Sequence, residues 1–521
     1  MSLLMDLGLA GAEIVSSRSG LPTLMHGGQA ILSTYDPARE AARFAKAYPQ
    51  SRIRLVGLGL GYLAQAFSGR LAGILAIEGE EGRLTASRPD AAEALRNLTV
   101  SYGSLLHLER ALAGCCHSGE TPVLDPSLGV SPELKARLED LIAMIAKRPR
   151  VTVIHLKTAG DVLRCLAAVQ AYKNNFPQVD LTFVTEKPYG ELVSLATGID
   201  RIVEVDPGAP SVIDLPRPFI AFNFGGDHAA CALMKSMEPV YSAGYAETES
   251  GIQLVDDRRA DQGAELNEIR NRMNRYALAH AIMGLAPTLN PPFLKITAKQ
   301  KDYSVVQFGA GSGAEVWDPK RVDPGIIGEC LRELGGKWIA VGSQGERDRA
   351  RDGGIAEDNN FCGRTSWSEL AELIAGARLY IGHDSGPTHL AAALGVPTVA
   401  LFGFTSPILN APVGPRTIIL QADMPCAYFG CRIPCPERTC THHFTPRIIG
   451  DAVAFLNADR PLDRLTIAER LRSAGMRYWT SCLDTDDPDP LRALFAGEPE
   501  IGPPGIPALS LLREWLRTGS R

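Results

Sequence analysis

Asp384, Ser385, Thr388 and His389 stand within one short polar stretch, between the apolar run that opens at Leu379 and the Ala-rich segment Leu390 to Leu394. A carboxylate, two hydroxyls and an imidazole so close together can hold the hydroxylated and anionic parts of a nucleotide. The pattern reads as strand, polar turn, helix, turn, strand. Leu379 to Gly382 is the expected first strand, and His383, Asp384 and Ser385 break it. Gly386 is the expected cap, and Pro387 suits the first helical turn, where a missing N–H costs nothing. Gly395 ends the helix, and Thr398 to Phe402 is the next buried strand. Free N–H groups and the helix dipole at such a turn favour phosphate. The same residues also suit an ordinary βαβ turn that binds nothing.

Val151-Thr-Val-Ile-His-Leu-Lys-Thr-Ala-Gly-Asp161 repeats the arrangement. Val151 to Leu156 is the strand, Lys157 to Gly160 the turn, and a helix runs on to Asn175. Asp161 stands at a helix start facing the expected cleft and, from the residues alone, reads as a helix cap. Asn223-Phe-Gly-Gly-Asp-His228 follows the strand Phe219 to Phe222 and, from the residues alone, reads as a polar turn. Gln307-Phe-Gly-Ala-Gly-Ser-Gly313, with Ser312, is a glycine-rich turn whose N–H groups can approach a diphosphate. Glu346, closing Gly342-Ser-Gln-Gly-Glu346, suits two neighbouring hydroxyls; the alternative is an exposed loop glutamate.

The stretch Asp384-Ser-Gly-Pro-Thr-His389, with Leu-Ala-Ala-Ala-Leu-Gly-Val-Pro-Thr-Val-Ala-Leu-Phe-Gly behind it, resembles the donor-site motif of glycosyltransferase family 9. That family holds the ADP-heptose:lipopolysaccharide heptosyltransferases. The resemblance implies an α/β GT-B fold, two Rossmann-like lobes about a cleft, over Val151 to Asn457. It implies Asp161 as catalytic base and Asp227 and His228 on the acceptor side. It implies Ser312, Glu346, Asp384, Ser385, Gly386, Thr388 and His389 on the donor side. Two positions depart from the pattern: His155 stands where a basic residue often precedes the leucine, and Glu315 where a lysine stands two residues before the tryptophan, here Trp317. Lys157 and Thr158 are the substitutes at hand for the first, or only face solvent, and Lys320 or Arg321 for the second.

The implied activity is inverting transfer of a heptose or related sugar from an ADP-activated donor. The acceptor is a glycolipid such as a lipopolysaccharide core, or a protein, and catalysis needs no cofactor. One alternative is a catalytically silent nucleotide-sugar-binding module. Another is an S-adenosylmethionine-dependent methyltransferase acting through the first block. There, Gly57-Leu-Gly-Leu-Gly61 with Glu78 resembles the cofactor turn of Rossmann methyltransferases and the N-terminal domain of motility-accessory-factor glycosyltransferases.

These turns need parallel sheets beneath them. Alternating strand and helix patterns predict a Rossmann-like N-terminal domain over residues 1–118, then a linker and connecting helix over 119–150. The N-lobe takes residues 151–290, and Pro287 to Pro292 forms a hinge. The C-lobe takes 291–460, and a helical tail 461–521, with helices near Leu465 to Ala474 and Pro507 to Arg517.

A formal net charge of -6 argues against a nucleic-acid protein working by bulk positive charge. Met1 to Gly28 lacks a basic segment followed by an unbroken apolar core, so no signal peptide is expected. The apolar stretch Leu390 to Phe404 falls short of the ~20 residues of a membrane span. A cytoplasmic protein is expected, with peripheral contact at the inner membrane face. Of 11 cysteines, Cys426, Cys431, Cys435 and Cys440 cluster, with four, three and four residues between them. Four such thiols can bind structural zinc or iron; free thiols and a disulfide are the alternatives. The scattered seven, among them Cys115, Cys116 and Cys482, read as reduced.

Overall fold

The computed structural model describes residues 12–50, 52–77, 79–102, 108, 111–112, 120–146, 149–208, 213–256, 267, 273–297, 300–310, 320–424 and 439–481. Glu78, Ser312, Glu315, Trp317, Cys115, Cys116, Cys426, Cys431, Cys435, Cys482 and the expected helix from Pro507 lie outside the described residues.

Among the described residues, four sheets organise the chain. A small antiparallel sheet, β1 (Ala12–Ser16), β2 (Pro22–His26) and β3 (Gln29–Ala30), precedes a parallel four-stranded one. The latter contains β4 (Ile53–Val56), β5 (Leu71–Ile77), β6 (Thr99–Tyr102) and β7 (Thr121–Leu124), in the order β6-β5-β4-β7. The segment expected as linker over 119–150 therefore begins with a strand of this sheet. Pro122 made it read as loop, but β7 is an edge strand, where a residue without an N–H is tolerated. Helix α1 (Pro132–Ala146) follows it.

The N-lobe sheet has the order β10-β9-β8-β11-β12-β13. Its strands are β8 (Arg150–Ile154), β9 (Asp180–Glu186), β10 (Arg201–Val205), β11 (Ile220–Asn223), β12 (Tyr241–Thr248) and β13 (Gly251–Asp256), and only β13 runs antiparallel. Val151 to Ile154 are buried on both faces, which is why β8 reads as an unbroken apolar run. Helices α2 (Ala159–Asn175), α3 (Lys187–Ser194), α4 (His228–Ser236) and α5 (Arg275–Ile282) belong to this lobe.

The C-lobe repeats the plan in the order β15-β14-β16-β17-β18-β19. The strands are β14 (Ser304–Val306), β15 (Trp338–Ala340), β16 (Tyr380–His383), β17 (Thr398–Phe402), β18 (Thr417–Ala422) and β19 (Met476–Thr480). Helices α6 (Trp367–Ala375), α7 (Gly386–Ala393), α8 (Pro446–Asn457) and α9 (Pro461–Ser473) are among those that belong to this lobe. The region expected as a separate tail from 461 thus belongs to the C-lobe. Helix α9 packs on α8, and β19 pairs antiparallel with β18, burying Trp479. The whole is an α/β protein, two Rossmann-like lobes in a GT-B arrangement plus an N-terminal Rossmann-like sheet.

In each lobe the strand order reverses beside one central strand, β8 or β14. Ligands of open α/β sheets bind at such switch points, beyond the carboxyl ends of the strands. The turns carrying Asp161 and Asp227 leave the neighbouring strands β8 and β11. The turn carrying Asp384 leaves β16, next to β14. Helices α2 and α7 pack against each other across the lobes. Glu191, from α3, ties the lobes elsewhere: it accepts from the Trp367 N–H at 2.8 Å and the Ser366 hydroxyl at 2.9 Å, at the start of α6.

Candidate active site between two helix N-termini

The first turns of α2 and α7 meet through glycines. A Cβ at Gly386 would lie 2.7 Å from that of Ala159, and one at Gly160 would lie 3.2 Å from the His389 ring. Two positive helix ends therefore face one small space, a setting that favours anions. Ser385, not Gly386, is the cap residue of α7; Gly386 and Pro387 open the helix. The strand continues through His383, so this histidine does not break it. It is buried, its Nε2 accepts the Val322 N–H at 3.0 Å, and burial with the nearby Arg349 pushes its pKa down to about 3.

Asp161 sits in the first turn of α2, behind Thr158, the cap residue. Thr158 has φ 61°, uncommon for a β-branched residue, and its hydroxyl donates to Asp161 Oδ2. Arg164, one turn along, donates to Asp161 Oδ1. Both carboxylate oxygens thus meet side chains, an arrangement unlike a simple cap. Burial opposes ionisation of Asp161, but chiefly the Arg164 guanidinium, with the Thr158 hydroxyl, outweighs it and holds the pKa at about 2. Burial is the largest single influence, the Arg164 guanidinium the largest opposing one, and 41% of the side chain is open to solvent.

Arg164 reaches into the other lobe. Its Nη2 lies 2.9 Å from His389 Nε2 and 3.9 Å from Asp384 Oδ1. Burial and the same guanidinium push the His389 pKa down to about 3. The ring is therefore neutral, with Nε2 accepting from Arg164 and Nδ1–H directed at the Tyr276 hydroxyl 3.3 Å away. Asp384 is 5% exposed and pairs with Lys320 Nζ at 2.8 Å. Burial disfavours its charge, but Lys320 and Arg164 hold its pKa below the ordinary carboxylate value.

Ser385 and Thr388 belong to a second network. The Ser385 and Tyr380 hydroxyls donate to Gln307 Oε1, at 2.5 and 3.1 Å. Ser385 and Thr388 hydroxyls lie 3.1 Å apart, and Thr388 also donates to the His383 carbonyl. Gln307 Nε2 in turn faces both oxygens of Glu346, at 3.4 and 3.3 Å. Glu346 is buried, not exposed: a Cβ on Gly309 or Gly342 would collide with its carboxylate, and Oε2 accepts the Ser343 N–H. Burial raises its pKa. Its oxygens are engaged beneath the cleft, so sugar hydroxyls would have to displace Gln307 to reach them.

In the turn after β11, Asp227 caps α4 through the Ala230 N–H and lies 3.7 Å from Lys157 Nζ. His228 is 81% exposed and lies 3.3 Å from Glu247. His155 is buried, its pKa lowered by burial, and its Nδ1 has no hydrogen-bond partner among the described residues. It brings no fixed positive charge to the site.

Arg164, Tyr276 and Gln307 were not among the expected site residues. Only Arg164 carried a signal, its spacing of three from Asp161 on one helix face. Of the clustered cysteines, Cys440 alone is described, buried in the short helix Thr439–His442.

The glycine turn of the N-terminal sheet is filled by its own protein. The buried Glu80 carboxylate accepts the N–H groups of Leu58 (2.9 Å), Gly59 (3.2 Å) and Ile77 (2.8 Å). These N–H groups are therefore already satisfied within the protein, and a phosphate-bearing ligand would have to displace Glu80 to reach them.

Residues 336–438 match the model of glycosyltransferase family 9 (heptosyltransferase). Lipopolysaccharide heptosyltransferase 1 of Pseudomonas aeruginosa is 41% identical over 105 residues, 20% of this chain and 28% of that protein. Lipopolysaccharide heptosyltransferase 1 of Salmonella typhimurium is 24% identical over 293 residues, 51% of this chain and 92% of that one. Among solved structures, ADP-heptose lipopolysaccharide heptosyltransferase II of Escherichia coli aligns at 16% identity and TM-score 0.47, covering 59% of this chain and 98% of that one. The 336–438 match spans the Asp384 turn, the chain spans 28% of the length of the Pseudomonas relative and 92% of the Salmonella one, and over these stretches it is similar to heptosyltransferases of glycosyltransferase family 9.

Proposed function

We propose that the protein is an inverting glycosyltransferase moving a heptose or related sugar from an ADP-activated donor to a glycolipid, such as a lipopolysaccharide core, or to a protein. The observation that carries this reading is the placement of the ionised, solvent-open Asp161 opposite the α7 N-terminus, with Arg164 spanning the two. Asp161 takes the proton of an acceptor hydroxyl while that oxygen attacks the anomeric carbon. The bond to the diphosphate breaks, and the leaving group takes the electron pair. Developing charge there is met by the first turn of α7, Ser385, Thr388 and Lys320. Asp384 and His389 line the donor side, and Asp227 and His228 the acceptor side. No metal takes part in transfer.

ADP-sugars should raise the melting temperature more than UDP- or GDP-sugars in a thermal-shift screen. No shift with any nucleotide sugar would contradict the donor reading.

Among the described residues no helix is long and apolar enough to cross a membrane. We place the enzyme in the cytoplasm, touching the inner membrane face when the acceptor is a lipid. We also propose that Cys426, Cys431, Cys435 and Cys440 hold a structural zinc or iron ion. Anaerobically purified protein should then carry about one equivalent of metal. Elemental analysis finding none would leave four ordinary thiols.

A further inference from the structure

Among the described residues, two cations, Arg164 and Lys320, and two anions, Asp161 and Asp384, stand where the first turns of α2 and α7 meet. An arriving diphosphate adds negative charge to a balanced set, so a cation must change partners. Lys320 is poorly placed to do so. Its partner Asp384 is 5% exposed, and a carboxylate left alone there has little water to turn to. Arg164 is different. Its partner Asp161 is 41% exposed and can be hydrated once released.

Arg164 is also only partly satisfied. Its side chain is 10% exposed, and its buried Nε has no hydrogen-bond partner among the described residues. Instead of one bidentate carboxylate, it gives Nη1 to Asp161 and Nη2 to His389. A guanidinium so held beside a helix N-terminus matches a phosphate group better than its present partners.

Building on the donor reading above, we propose that Arg164 is an exchangeable counter-ion: it pairs with Asp161 in the empty cleft and passes to the donor diphosphate, so that donor loading frees Asp161 to receive the acceptor proton. Loss of the guanidinium raises the basicity of Asp161 at the moment its substrate is complete. Before that, the base is occupied. The exchange makes productive binding ordered, donor first, and joins the N-lobe base to the C-lobe anion site without a large domain rotation.

The test is calorimetric titration of ADP, and separately of inorganic pyrophosphate, into wild type, Asp161→Asn, Arg164→Gln, Arg164→Lys and Asp161→Asn/Arg164→Gln at one ionic strength. Asp161→Asn should bind ADP several-fold more tightly, because Arg164 no longer has to leave a carboxylate. Arg164→Gln should bind roughly 10-fold or more weakly, as expected for a lost charged hydrogen bond, and Arg164→Lys should recover part of the loss. In the Arg164→Gln background the gain from Asp161→Asn should vanish. If that gain persists, it is bulk repulsion between Asp161 and phosphate, and the exchange is refuted. Arg164→Gln binding ADP like wild type also refutes it. Should Arg164→Gln not fold, the near-isosteric Asp161→Asn decides alone: no tightening overturns the proposal. Wild type that binds pyrophosphate but not ADP would sink the ADP reading and leave the exchange standing. Wild type that binds neither would sink both.

Discussion

Asp161→Asn should retain donor binding and lose most transfer, roughly 10²–10⁴-fold in kcat, the range for removing a general base. The substitution keeps the shape of the side chain and its contact with the Thr158 hydroxyl, so folding should survive. It removes the lone pair that accepts the proton. The pH dependence of the wild type has a defined sign. Arg164 and the Thr158 hydroxyl hold the Asp161 pKa at about 2 against the effect of burial. The free enzyme's base is therefore ionised down to strongly acid pH, and the acid limb of kcat/KM should lie below the ordinary carboxylate range near pH 4. Steady-state release of ADP, followed with saturating donor and acceptor, checks the loss. Turnover like wild type would reduce Asp161 to a structural residue.

Lys320→Met should destabilise the fold by about 3–5 kcal/mol, the usual cost of stripping one partner from a buried ion pair. Asp384 is 5% exposed, and Lys320 is 2.8 Å away while Arg164 stands off at 3.9 Å. The neighbouring guanidinium softens the loss and does not replace a direct hydrogen bond. For a cooperative unit of lobe size the melting temperature should fall by roughly 10 °C. The folded pKa of Asp384 is depressed. Its contribution to stability is therefore present above the unfolded value, near 4, and is lost as pH falls through the folded value. The gap between variant and wild type should be full at pH 7 and narrow below about pH 4. A melting temperature within a degree or two of wild type at pH 7 would contradict the assignment.

The turns carrying Asp161 and Asp384 were legible because their cause is local. Apolar strand runs end at Gly, Pro and capping residues, and these signals lie within a dozen residues of the functional side chains. What joins the two turns was not legible. The Arg164–His389 contact closes a sequence separation of 225 residues and the Tyr276–His389 contact one of 113. Neither helix carries a pattern that names its partner. Glu346 read as a loop residue because its burial depends on space left by Gly309 and Gly342, on other segments. Glu80 was missed for a related reason: a carboxylate folded back onto a glycine turn looks, in sequence, like any acidic residue at a helix start. β7 and β19 escaped notice because Pro122 hid an edge strand and because β19 runs antiparallel after two helices.

The central claim is that a donor diphosphate lies between the N-termini of α2 and α7, with Asp161 facing the acceptor. A crystal structure with an ADP-sugar bound tests it most directly. The diphosphate should contact the first turn of α7, with Arg164 and Lys320 within hydrogen-bond reach, and Asp161 should be parted from Arg164 on the open side of the anomeric carbon. A diphosphate bound away from α7, or an anomeric carbon shielded from Asp161, would contradict it.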